Sequence, residues 1–170
     1  MKRPFGILIA MSALVVSIAA TRPAPQTTET ATLGATLSPA NEVPAITNAD
    51  STGKGEVTVT LKITRDAAKA ITAATAEFKV DLSGFPAGTA VTAAHIHRGA
   101  AGANGGPVVN LGLKAGDVTL ANGSGAITKA DIVVTPAVAQ ELLTTPAGFY
   151  FNVHTSLNAG GAARGQLAKK

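Results

Sequence analysis

From residue 55 to 64 the chain reads GEVTVTLKIT, with Val57, Val59, Leu61 and Ile63 at every second place and Glu56, Thr58, Thr60, Lys62 and Thr64 between them. A period of two sends alternate side chains to opposite faces of an extended chain, so this segment predicts a half-buried β-strand. Residues 74–84 repeat the pattern with Ala76, Phe78, Val80 and Leu82 inward, and Gly84 and Pro86 end it. Shorter runs at 31–37, 93–97, 107–111, 125–132, 148–155 and 163–168 stand between turns rich in Gly, Pro and Asn. The set predicts an all-β fold, an antiparallel, Greek-key-like sandwich or barrel of about eight strands. One segment departs from it. Over 135–145, Val138, Leu142 and Leu143 recur at helical spacing, Thr135 is placed to cap a helix and Pro136 to take its first position. A single short helix is expected there, closing one end of the β-structure or crossing between sheets.

The first twenty residues have the layout of a secretory signal: Lys2 and Arg3, an apolar run from Phe5 to Ile18, then Ala19 and Ala20. Their removal leaves a chain of about 150 residues, enough for one domain with one core. The expected product is secreted or periplasmic, with no membrane association after cleavage. Residues 21–30, rich in Pro and Thr, read as a flexible leader, and 31–168 as the domain. The sequence has no Cys, which excludes disulfides, thiolate catalysis and thiolate metal sites, so packing must hold the domain together. Losing Lys2 and Arg3 takes the count from 14 basic residues against 10 acidic to 12 against 10, and two of the twelve are the terminal Lys169 and Lys170. With no run of Lys or Arg, no Trp and one Tyr, nucleic-acid binding has neither an electrostatic nor a stacking basis.

The candidate chemistry sits in three histidines. In Ala93-Ala94-His95-Ile96-His97 the apolar residues Ala94 and Ile96 share one face, so His95 and His97 share the other, about 7 Å apart along the strand. In 148–155, Phe149, Phe151 and Val153 take the apolar face, and Tyr150, Asn152 and His154 the opposite one. Two imidazoles at i and i+2, joined by a third from a neighbouring strand, can hold copper or zinc and leave a position open. The same side chains can also stand on a wet strand face or hydrogen-bond loops, and alternation leaves both readings open. The carboxylates are too scattered in sequence to nominate a fourth ligand. The glycine-rich stretch 99–109 lacks the Lys-Ser/Thr of a phosphate loop and runs into Pro107 and a strand rather than a helix. It reads as a tight turn lying beside His97.

Taken in order, NEVPAITNADSTGKGEVTVTL, AAHIHRGAAGANGGPVVNL, GFYFNVHT and ARGQL resemble the chordin-type (CHRD) domain family over about residues 31–168. The resemblance falls on Glu42, Val43 and Pro44; on His95, His97 and Gly99; on Asn104, Pro107 and Val108; on Asn152, His154 and Thr155; and on Arg164, Gly165 and Gln166. It departs at Ala162, where members usually carry a carboxylate, and at Gly105-Gly106, which holds an extra glycine. It implies an extracytoplasmic β-domain, while the growth-factor partners of the large animal proteins do not transfer to a small chain. A weaker likeness to copper/zinc superoxide dismutase rests on the His-x-His strand and the glycine-rich loop. Three histidines and no Cys cannot supply that enzyme's two-metal site, which leaves a single three-histidine copper site.

The combined expectation is an exported binding module for an unidentified extracytoplasmic protein or ligand, with copper or zinc at His95, His97 and His154. The alternatives are a structural or adhesive domain without metal and a mononuclear copper redox enzyme, and a binder is favoured over an enzyme. Around the histidines, Asn152 is expected to orient His154 or to satisfy a loop. Arg164 is expected to pair with Glu42 or a nearby carboxylate and fasten the last strand, or else to clamp an anion. Gly99, Asn104 and Pro107 shape the loop.

Overall fold

Val57, Val59, Leu61 and Ile63 are wholly buried while Glu56 and Lys62 are exposed, so the alternation at 55–64 is the inside-outside pattern of a real strand, β2 (Lys54–Arg65). The computed structural model describes residues 24–170, and the expected signal segment 1–20 lies outside the described residues. The remaining strands are β1 (Thr27–Leu37), β3 (Ile71–Ser83), β4 (Thr89–Arg98), β5 (Pro107–Asn110), β6 (Val118–Leu120), β7 (Gly125–Val134), β8 (Phe149–Thr155), β9 (Ala163–Gln166) and β10 (Ala168–Lys169). They form two antiparallel sheets: β10-β1-β2-β3-β7, and β5-β4-β8-β9 with β6 also on β4. This is the all-β sandwich that the pattern predicts. The inner faces interlock through apolar side chains, with the rings of Phe78 and Phe151 meeting across the sheets at 6.0 Å between centroids.

Three details differ from expectation. β1 begins at Thr27, so residues 27–30, assigned by composition to the leader, pair with β2 from Thr27 opposite Arg65 onward. Their side chains stay exposed, and it is backbone pairing rather than burial that makes them strand. β6 and β10 are two- or three-residue additions too short to carry a period. Together they raise the strand count to ten.

Helix α1 (Pro136–Thr144) forms where expected, with the Thr135 hydroxyl accepting from Val138 N at 3.4 Å and Pro136 in the first turn. It leaves β7 of one sheet and leads into β8 of the other, burying Ala139 and Leu142. Among the described residues no helix is long and apolar enough to cross a membrane.

The sheets join at one corner. Ser38 and Arg164 exchange backbone hydrogen bonds of 3.0 and 3.3 Å. Gly165 passes so close to the Thr36 carbonyl that a Cβ there would overlap it, which only glycine permits. That corner brings the connection after β1 across the outer face of β8 and β9. All seven residues of β8 are buried, because one face meets the core and the other is roofed by the segments 38–53, 99–106 and 156–162.

Candidate metal centre

Strand register sets the order of side chains on the roofed face. Across β4, β8 and β9, His95 stands opposite Asn152 and Asn152 opposite Arg164. One row along, His97 stands opposite Tyr150 and Tyr150 opposite Gln166, while His154 stands opposite Ala93. With adjacent strands about 4.8 Å apart, the β4–β8 pairing carries His154 to the two histidines of β4. The ring centroids of His95 and His154 are 5.0 Å apart, those of His95 and His97 5.4 Å, and those of His97 and His154 5.8 Å. One nitrogen from each ring can be chosen so that no pair exceeds 4.8 Å. The histidines do point away from the core, yet the loops bury them: His97 is 8% exposed, His154 7%, and His95 is half-buried.

Backbone carbonyls fix the proton positions. His97 Nδ1 is 2.9 Å from Gly105 O, and His154 Nδ1 is 3.0 Å from Ala159 O. A carbonyl oxygen only accepts, so both Nδ1 atoms carry hydrogen and both neutral rings present a lone pair at Nε2. His97 Nε2 is buried without a partner. His154 Nε2 lies 3.1 Å from His95 Nδ1, which donates to it.

Burial is the leading cause that holds all three imidazoles below their ordinary range. For His95, burial and the neighbouring His154 and His97 bring the value down to about 4. At His97 and His154 the carbonyl bonds to Gly105 and Ala159 favour the charged ring but are outweighed. All three are therefore neutral near pH 7, as a metal ligand must be.

The donor set fits a borderline transition metal. Ligating histidines ordinarily donate their other N–H to a carbonyl or carboxylate, and His97 and His154 do so here. Two imidazole nitrogens on one tetrahedral ion stand about 3.3 Å apart. The His95 Nδ1–His154 Nε2 separation of 3.1 Å matches that spacing, with ligation requiring the His95 proton to move to Nε2, and the widest pair needs to close by about 1.5 Å, a small ring rotation.

The surrounding residues act on the loops. The Tyr150 ring is stacked on His97 at 4.9 Å, and the Arg164 guanidinium carbon lies 4.6 Å from the same ring. Arg164 Nε donates to Asn41 O at 2.6 Å, and Nη1 to Ala103 O at 3.2 Å and Asn104 Oδ1 at 2.9 Å. Asn104 Nδ2 donates to Val43 O at 2.8 Å, so Arg164 and Asn104 sew loop 99–106 to the 38–44 segment. Gly99 O accepts from Gln166 at 2.7 Å, and Pro107 stands opposite His97 where the loop re-enters the sheet. A Cβ on Gly105 would overlap the Arg98 carbonyl, so glycine at 105 lets its own carbonyl reach His97.

Glu42 and Arg164 do not form the expected pair: among the described residues no ion pair within 4.0 Å joins them. Arg164 spends Nε and Nη1 on the loops, and Glu42 is left buried. Burial pushes its carboxyl up to about 7, against the opposing pull of Arg164 and of a hydrogen bond from Asn152. Asn152 therefore serves Glu42, and Ala159 orients His154. Ala162, where a carboxylate was expected by resemblance, lies wholly buried in the apolar core.

Sequence reading missed Asp50. It is 1% exposed, and its Oδ2 accepts from Thr155 at 2.7 Å and Asn158 at 2.6 Å, bracing the turn that presents the Ala159 carbonyl. Asn48, two residues earlier, accepts from Asp50 N at 3.1 Å, a turn signature present in the sequence as Asn-Ala-Asp.

No protein of curated function and no solved structure matches the chain. The family model described as CHRD domain matches residues 33–167, from β1 through β9, and spans all three histidines with Glu42, Asn152 and Arg164. On a match covering most of its length, the chain belongs to the CHRD domain family.

Proposed function

We propose that this chain is an exported binding module that holds one copper or zinc ion at His95, His97 and His154, and that its partner is an extracytoplasmic protein or ligand. The observation that carries the metal is the convergence of two Nε2 lone pairs, each backed by a carbonyl on Nδ1, with His97 Nε2 buried and unpartnered. When bound, the ion joins β4 to β8 outside their ladder, and a three-nitrogen set leaves a fourth position to an external group. His97 and His154 each tie one loop to the site, 99–106 through Gly105 and 156–162 through Ala159. Occupancy is thereby linked to the order of the surface that a partner would meet.

Calorimetric titration of chelator-stripped protein with zinc, repeated with copper, tests this. One ion per chain is expected, with His97→Ala weakening uptake about 100-fold. Uptake unchanged in that variant contradicts the site. A second reading, a structural domain without metal, draws support from the 3.1 Å His95–His154 hydrogen bond, which already ties the two strands. On that reading, partner binding survives a chelator and His154→Ala lowers stability without altering metal uptake.

A further inference from the structure

Beside the histidines lies a second group of polar side chains that the metal does not use. Glu42 Oε1, Asn152 Oδ1 and Arg164 Nη2 are buried without a hydrogen-bond partner, and with His97 Nε2 they make up the four such side-chain atoms among the described residues. Native interiors pair almost all such atoms, so three in one patch mark a place for a group supplied from outside the chain.

They do form one patch. Asn152 and Arg164 are cross-strand partners. A Cβ on Gly161 would stand 2.6 Å from Asn152 Nδ2 and 2.8 Å from Glu42 Oε2, so the amide and the carboxylate meet above that glycine. Glu42 and Arg164 are both buried and opposite in sign, yet they stay more than 4.0 Å apart, which leaves room for a bridging atom. A cavity of about 350 Å³ adjoins Glu42 and Arg164, walled with them by Asn41, Val43, Ala101 and Gly102, and Asn152 stands outside its lining. That volume falls at the small end of ligand sites.

The orphaned atoms state what is complementary to them. Arg164 Nη2 only donates, Asn152 Oδ1 only accepts, and an ionised Glu42 Oε1 only accepts. The missing group must therefore accept once and donate up to twice. A carboxylate or phosphate satisfies Arg164 but turns lone pairs toward Asn152 Oδ1, and toward Glu42 Oε1 once that carboxyl is ionised. An ammonium satisfies the oxygens and is repelled by the guanidinium. A hydroxyl both accepts and donates, so hydroxyls on adjacent carbons match a donor and acceptors together. The Tyr150 ring is already stacked on by His97 and by the Arg164 guanidinium, so recognition here runs through hydrogen bonds rather than stacking.

We propose that the cavity between residues 40–43 and loop 99–106 binds a small polyhydroxylated molecule, a polyol or a single saccharide unit, through Arg164 and Glu42, with Asn152 bonded to Glu42 behind them. The site is distinct from the three histidines and does not require them to hold an ion.

Saturation-transfer NMR and calorimetry on the metal-free full chain test this, with glucose, galactose, mannose and myo-inositol as probes and with acetate and methylammonium as charged controls. At least one polyol is expected to receive saturation. Ala101→Trp, which fills the cavity from an exposed loop position, is expected to weaken its binding at least about ten-fold with an unchanged Tm. Arg164→Lys is expected to abolish binding. Because Arg164 also holds two loops, the Ala101 variant decides if that protein does not fold. Absence of any polyol signal, which assigns the gap to bound water alone, overturns the proposal. So does equal binding by Ala101→Trp, or binding of acetate and no polyol.

Discussion

Glu42→Gln should make the protein more stable, by an amount that grows as pH rises from about 4.5 and is complete above about 7. The carboxyl has an ordinary value of 4.5 and is pushed up to about 7 in the fold, chiefly by burial. A raised carboxyl works against folding at high pH: the neutral form is tolerated below the unfolded value, and stability is lost as pH rises through the folded one. The shift from 4.5 to about 7 corresponds at full strength to about 3.4 kcal/mol, and relaxation and water penetration around the ionised group reduce this to about 1–2 kcal/mol. Glutamine keeps the shape and removes the ionisation. The assay is urea unfolding of both proteins at pH 4 and pH 8, where the histidine contributions are common to both and cancel. The difference should be near zero at pH 4, and at pH 8 the variant should be the more stable by about 1–2 kcal/mol. A wild-type advantage at pH 8, or a difference that does not grow between the two, would refute the reasoning. It would mean that Glu42 is ionised and paired in the fold.

Three further outcomes follow from the same geometry. In wild-type protein the depressed His95 makes the unfolded chain bind more protons than the folded one between about 4 and 6.5. That stability is complete above about 6.5 and lost as pH falls toward 4; after screening it is about 1 kcal/mol, and it should vanish from urea midpoints measured on His95→Asn. Gly105→Ala should cost about 1–3 kcal/mol by thermal unfolding and weaken zinc binding about ten-fold, because the added methyl overlaps Arg98 O and displaces the carbonyl that orients His97. Wild-type affinity in that variant would show the carbonyl to be unimportant. Zinc should slow amide exchange in 99–106 and 156–162 while leaving β2 unchanged, and uniform protection or none would break the link between ligands and loops.

The fold was legible wherever side-chain chemistry matched side-chain direction. β2 and β3 read cleanly because each inward place holds an apolar residue. β8 did not, since Tyr150, Asn152 and His154 alternate with apolar residues like a solvent face and yet are buried. Alternation reports which side of a sheet a residue takes, and the loops that cover that side arrive from distant parts of the chain. The residues at 27–30 escaped for the opposite reason: their backbone is paired and their side chains are not buried.

At the site, the histidines could be named from sequence, but the meeting of His95 with His154 spans 59 positions and depends on β4–β8 register. The proton positions depend on the Gly105 and Ala159 carbonyls, which carry no residue signature. Glu42 and Arg164 could likewise be named. Their separation follows from the three acceptors, Asn41, Ala103 and Asn104, that engage the guanidinium first.

X-ray absorption at the zinc edge of the one-to-one loaded protein tests the central claim most directly. The account predicts three imidazole nitrogens at about 2.0–2.1 Å, with the outer-ring scattering of histidine, and a fall to two in His97→Ala. An oxygen-only shell, or a spectrum unaltered in that variant, would contradict it.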